Sequence, residues 1–250
     1  MKSKKMKYQL SASKVILCMS IVGNIALFIV LAMVENRSHV LARALERRGY
    51  ITLDDSKDLN YWTRVAWTNT IKKMHTEFDV AFFGNSITCG SDFQQFFPNK
   101  KIINLGLPGD NLIGMKKRIS MLEASNPKKI FIMAGTNDLV HNDVETYKTN
   151  YIRLIDEIHN VMPNAQIYVQ SVLPTNTDFS KKYAPNKKVI QANKMIENIA
   201  DSLNFKYINI YDSYIDSEGE LIKDLTRDGV HLYPTAYDKW AKVIEKYVYE

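Results

Sequence analysis

The stretch VAFFGNSIT, residues 80–88, opens with four apolar residues, Val80 to Phe83, and breaks at Gly84 into the polar turn Gly84-Asn85-Ser86-Ile87-Thr88. A run this short, apolar on both faces and closed by turn residues, is the kind of strand that a parallel sheet buries. Four more runs of the same type follow at Lys101–Leu105, Lys129–Ala134, Gln166–Val172 and Tyr207–Tyr211. Between them the apolar residues change to helical spacing. Leu112, Met115, Ile119 and Leu122 share one face, as do Val144, Tyr147, Tyr151, Ile155 and Ile158, and as do Val189, Ala192, Ile196, Ile199 and Leu203. Pro234 opens a last helix carrying Ala236, Trp240, Val243 and Tyr247. Strands alternating with helices imply right-handed crossovers. The expected fold over residues 78–250 is therefore α/β, a three-layer α/β/α sandwich around a five-stranded parallel sheet.

In such sheets ligands bind beyond the carboxyl ends of the strands. The turn after the second run reads Asn104-Leu105-Gly106-Leu107-Pro108-Gly109-Asp110-Asn111, and the turn after the third reads Gly135-Thr136-Asn137-Asp138. With the Ser86 turn, three polar, glycine-bearing turns meet at one sheet edge. Asp228-Gly229-Val230-His231-Leu232 comes just before the last helix. Taken singly these pieces are commonplace. Together they supply what acyl transfer needs: a hydroxyl nucleophile, a base for its proton, a carboxylate to orient the base, and donors for an oxyanion.

The four blocks, in this order, resemble those of the SGNH hydrolases, also called the GDSL lipase/esterase family. The resemblance runs over residues 78–250 and implies a flavodoxin-like fold with no cofactor. It implies that Ser86 is the nucleophile and gives its own N–H to the oxyanion. Gly109 would give a second donor through its backbone N–H, and Asn137 a third through its side-chain amide. His231 would be the general base and Asp228 its orienting partner. The first block departs from the family pattern, which commonly reads Gly-Asp-Ser; Asn85 here puts in doubt any role that needs a carboxylate at that position. Gly106 is a second candidate for the donor glycine and reads as a turn residue.

The expected activity is hydrolysis of carboxylic esters, acetyl or short acyl, on a carbohydrate or a lipid, with carbohydrate O-deacetylation favoured. An O-acyltransferase acting on surface glycans would use the same residues, because only the acceptor differs. A non-catalytic glycan-binding module is the third reading, and the intact set of five residues argues against it. The loop Pro174–Lys188 reads as a substrate wall or as an ordinary exposed loop.

The remaining features narrow the partners. The net charge is +6, but residues 1–14 hold five lysines and no acid, which leaves +1 for the rest of the chain. A nearly neutral body carries no basic footprint for nucleic acid. The charge belongs to a basic tail ahead of Val15–Val34, a run without one charged residue. Twenty helical residues span roughly the 30 Å core of a bilayer. Lysines before the run predict a cytoplasmic tail (1–14), a transmembrane anchor (15–34), a helical stalk or packing segment (35–77) and a hydrolase domain outside the cytoplasm. A signal cleaved after Ala32 is the nearer rival, and would give a secreted protein. Cys18, inside the apolar run, is not expected to pair with Cys89. His39, His75, His141 and His159 have no partner at ligand spacing, so no metal site is expected. The Gly106–Gly109 turn lacks the full dinucleotide-binding glycine pattern.

Overall fold

The structure, a computed structural model, describes residues 77–250 except 180, together with residues 24, 66, 67, 69–71 and 73. The basic tail, the apolar run (with Cys18) apart from residue 24, His39, His75 and most of the 35–77 segment lie outside the described residues. Among the described residues no helix is long and apolar enough to cross a membrane.

The five expected strands form. β1 (Val80–Gly84), β2 (Ile102–Gly106), β3 (Lys129–Met133), β4 (Gln166–Gln170) and β5 (Lys206–Ile208) make one parallel sheet in the order β2-β1-β3-β4-β5. The chain runs from β1 outward to β2, then crosses back over β1 to reach β3. The strand order therefore reverses at β1, where α/β sheets open a crevice for ligands.

Alternate strand residues feed two cores. Ala81, Phe83, Leu105, Ile130, Ile132 and Val169 point to one face, where they meet the helices Leu112–Lys117, Ser120–Ser125, Val144–Val161 and Asn186–Ser202. Val80, Phe82, Phe131, Met133 and Tyr168 point to the other, against Phe93, Phe97 and the helix Tyr237–Tyr249. Phe82 and Phe93 stack with ring centroids 3.7 Å apart, and Trp240 meets Phe93 edge-on. The Trp240 indole N–H donates to the Gln170 side chain at 2.6 Å, which satisfies both buried polar groups and ties the last helix to the end of β4.

Four elements differ from the sequence reading in ways the structure makes plain. The helix expected over Leu112–Leu122 is two short helices that part at Arg118, whose side chain turns inward. β5 stops at Ile208 rather than Tyr211 because the Ser171 hydroxyl accepts the N–H groups of both Ile210 and Tyr211 at 2.9 Å. β4 stops at Gln170 rather than Val172, since the Asn193 side chain takes over both backbone groups of Val172. At the last helix, Pro234 begins a 3₁₀ turn, Pro234–Ala236, and the α-helix starts at Tyr237.

Candidate active site

Gly84, Gly106 and Met133 are partners in register across β2, β1 and β3. Ser86, Gly109 and Asn137 follow them by two, three and four residues, so the three turns leave the sheet side by side. Asn85 caps the helix Ser86–Cys89: its Oδ1 accepts the Ile87 N–H at 2.9 Å. That cap places Ser86 on the first helical turn, where its own N–H has no intrahelical acceptor.

Ser86 Oγ lies 2.9 Å from His231 Nε2, and His231 Nδ1 lies 2.7 Å from Asp228 Oδ2. An ionised carboxylate only accepts, so Asp228 fixes a proton on Nδ1 and leaves Nε2 to accept from the Ser86 hydroxyl. The other carboxylate oxygen, Oδ1, accepts the N–H groups of Val230 and His231 at 3.1 and 2.8 Å. One side chain thus shapes the turn that carries the histidine and also orients its ring. Burial raises the Asp228 carboxyl, but the hydrogen bonds from the His231 ring and from the two N–H groups outweigh it and hold Asp228 below its ordinary value. The loop is braced from outside by Asn176, whose N–H donates to the Gly229 carbonyl at 2.8 Å.

The two glycines of the second block separate cleanly. Gly109 has φ +75, a left-handed conformation that L side chains rarely adopt, and the space where its Cβ would stand is open. Its N–H donates to no atom of the described residues. Gly106 ends β2; a Cβ there would stand 2.2 Å from the Cys89 nitrogen, and its N–H is held by Asn104 Oδ1 at 2.8 Å. Gly106 is a close-packing residue of the sheet rather than a residue of the turn, and its N–H is already engaged.

Asn137 lies in the helix Thr136–His141, and its Nδ2 donates to the Asp110 carbonyl at 2.7 Å. An amide has two N–H donors, so this bond orients the group and leaves the second free for a ligand. Ser86, His231 and Asp228 are therefore joined in one hydrogen-bonded chain, while Asn137 bonds to the residue that follows Gly109. Such a set can activate a hydroxyl and stabilise negative charge on an attacked carbonyl oxygen.

Other sequence candidates fall elsewhere. His141 and His159 are exposed, His159 resting edge-on against Phe205. No cluster of three or more His, Cys, Asp or Glu side chains able to hold a metal exists among the described residues. Two residues that the sequence reading passed over stand beside the site. Arg118 is 2% exposed and pairs with Asp110 through Nε at 2.6 Å. Asp138, also buried, accepts the Leu112 N–H with both carboxylate oxygens at 3.1 and 3.3 Å. Burial pushes its carboxyl up, the Leu112 hydrogen bond pulls down, and the charge of Asp110 adds a smaller upward push, for a value of about 7. The only sequence signal for either was position: Asp138 follows Asn137, and Arg118 ends a Lys-Lys-Arg run that looks like a solvated face.

The GDSL-like lipase/acylhydrolase family model matches residues 82–239. The chain belongs to that family, the SGNH/GDSL hydrolases that its motif blocks resemble. Solved structures share the fold at low identity. A Streptococcus pneumonia protein named as a candidate platelet activating factor is 24% identical, with a TM-score of 0.68 over 76% of this chain and 92% of its own. A GDSL-like lipase from Bacteroides thetaiotaomicron is 23% identical, with a TM-score of 0.65 over 76% and 97%. A catalytic mutant of the acetylxylan esterase Axe2 from Geobacillus stearothermophilus is 17% identical, with a TM-score of 0.55 over 69% and 94%. No curated protein matches the chain.

Proposed function

We propose that this protein is a serine esterase that removes short acyl groups, acetyl above all, from a carbohydrate through an acyl-enzyme. The observation that carries the reading is the hydrogen-bonded chain from Ser86 Oγ through His231 to Asp228. In the first half-reaction Ser86 Oγ attacks the ester carbonyl carbon and His231 Nε2 takes the hydroxyl proton. The carbonyl oxygen, now negative, is met by the N–H groups of Ser86 and Gly109 and by the free N–H of Asn137. The tetrahedral species collapses, the C–O bond to the alcohol breaks, and the alcohol leaves with the proton from His231. Water then attacks the acyl-enzyme with His231 again as base. The carboxylic acid departs and Ser86 recovers its proton. Asp228 stays ionised throughout and stabilises the imidazolium.

An open cleft of about 510 Å³ is lined by His141, Asn142, Asp143, Val144, Pro185, Lys187, Lys188 and Gln191. It does not touch Ser86 or His231, but His141 is four residues from Asn137 and so lies on the same face of that helix. One neighbour of the same fold is named an acetylxylan esterase. In the same reading residues 15–34 anchor the chain in a membrane, and the hydrolase domain works outside the cytoplasm on surface glycans; the charge-free run behind five lysines supports this.

A series of p-nitrophenyl esters of rising chain length tests the substrate, alongside acetate release from an acetylated oligosaccharide. The expected result is that kcat/KM is highest for the acetyl ester and falls with length. A maximum at long chains overturns the acetyl assignment, and no hydrolysis of any ester overturns the esterase.

A further inference from the structure

Arg118 is the one arginine of the described residues that is sealed from solvent, and its guanidinium donates to three separate segments: β1, β2 and the turn that follows Gly109. Nη2 donates to the Gly84 carbonyl at 2.8 Å, at the end of β1 and two residues before Ser86. Nη1 donates to the Leu105 carbonyl at 2.6 Å, near the end of β2. Nε donates to Asp110 Oδ2 at 2.6 Å, in the turn that follows Gly109. The guanidinium carbon lies 4.3 Å from the centre of the Phe83 ring, which closes its remaining face. Arg118 and Asp110 side chains are 1% and 6% exposed. A buried ion pair of this kind is a weak source of stability, because desolvation offsets most of its attraction. Its geometry is better explained by what it fixes.

Asp110 is the point where the device meets the chemistry. Its carboxylate is gripped by Arg118, and Oδ1 also accepts the Asn111 N–H at 3.0 Å. Its carbonyl accepts from Asn137 Nδ2 at 2.7 Å. Its nitrogen belongs to the peptide joined to Gly109. Beyond it, Leu112 is held by Asp138. Two of the three oxyanion donors thus hang on one residue whose side chain is pinned by one guanidinium.

We propose that Arg118 is a positioning residue for the oxyanion hole: through Asp110 it sets the Gly109 N–H and the Asn137 amide against Ser86. The inference rests on the esterase reading above. A planar fork can serve two carbonyls and a carboxylate at once, whereas a lysine offers one compact charge and cannot span them. Arg118→Lys keeps the charge and loses the span.

The test measures kcat and KM separately on p-nitrophenyl acetate with the full-length protein, normalised to folded protein by near-ultraviolet circular dichroism. The variants are Arg118→Lys, Asp110→Asn, Asn137→Ala, the double variant Arg118→Lys/Asn137→Ala, and Ser86→Ala. A small displacement of catalytic groups costs up to about 100-fold in rate. Arg118→Lys should therefore lower kcat by about 10- to 100-fold with KM within about threefold, and Asp110→Asn should do the same. In the Arg118→Lys background, Asn137→Ala should cost far less than it does alone, because the amide is already misplaced. A merely structural arginine would give additive effects. Native kcat in Arg118→Lys, or full additivity with Asn137→Ala, overturns the proposal while Ser86→Ala remains inactive. If Arg118→Lys does not fold, Asp110→Asn decides alone, and native kcat in it overturns the proposal. Native hydrolysis by Ser86→Ala removes the esterase reading, and the positioning role with it.

Discussion

Asp138 gives the candidate site a pH signature that is separate from Ser86, His231 and Asp228. Its carboxyl titrates at about 7 in the folded protein against an ordinary value of 3.8, chiefly because it is buried. Between those values the folded chain holds a proton that the unfolded chain has released. Stability therefore falls as pH rises through this window, and levels off above about pH 7 once both states are ionised. Each pH unit over which the two states differ by one proton is worth about 1.4 kcal/mol, so ionising Asp138 takes roughly 4 kcal/mol from the folded state. Asn is nearly isosteric with the protonated acid and keeps an oxygen for the Leu112 N–H. Asp138→Asn removes the titration. Whatever constant offset the new amide brings, the stability of Asp138→Asn relative to the natural protein should rise by roughly 4 kcal/mol between about pH 4 and pH 8. Denaturant unfolding of both proteins across that range measures it. A difference that does not change with pH would refute the reasoning, and would mean that the Leu112 hydrogen bonds hold Asp138 ionised. A difference that falls with pH would reverse the sign of the effect.

Other expectations follow from single contacts. If Asn137 is an oxyanion donor, Asn137→Ala should lower kcat by about 10²–10³ with KM nearly unchanged, since that bond would strengthen only in the transition state; a raised KM with native kcat would make Asn137 a substrate-binding residue instead. Gly106→Ala puts a Cβ 2.2 Å from the Cys89 nitrogen and must push the helix Ser86–Cys89 off the sheet. It should cost about 1–3 kcal/mol in stability and lower kcat as well, and thermal melting beside steady-state kinetics checks both. If residues 15–34 anchor the chain, the full-length protein should stay with membranes through a carbonate wash; release into the supernatant would favour a cleaved signal.

How much of this was legible in the sequence depended on how local each cause was. β1 was readable because Val80–Phe83 is apolar throughout and Gly84 marks its end. The candidate site residues were readable because Ser86, Gly109 and Asn137 lie in short blocks that follow strand ends, which the topology rule brings together, and Asp228 and His231 share one block just before the last helix. The extent of β5 was not readable, because what stops it is the hydroxyl of Ser171, 39 residues before Ile210. Arg118 was hidden for the same reason. Its partners Gly84, Leu105 and Asp110 are 34, 13 and 8 residues away, and in the local pattern it is the third residue of a basic run on an amphipathic helix. The role of Gly106 was misread because a turn glycine and a glycine under a crossing helix look alike in sequence; only the nearness of Cys89 separates them.

The central claim is that Ser86, activated by His231, carries the acyl group. Mass analysis of the protein after reaction with a fluorophosphonate tests this most directly, because such reagents stop at the covalent stage and mark the nucleophile. The account predicts one adduct, on the peptide containing Ser86, lost in Ser86→Ala and strongly slowed in His231→Ala, with both variants keeping native circular dichroism. An adduct on another residue, or ester hydrolysis at the natural rate in Ser86→Ala, would contradict it.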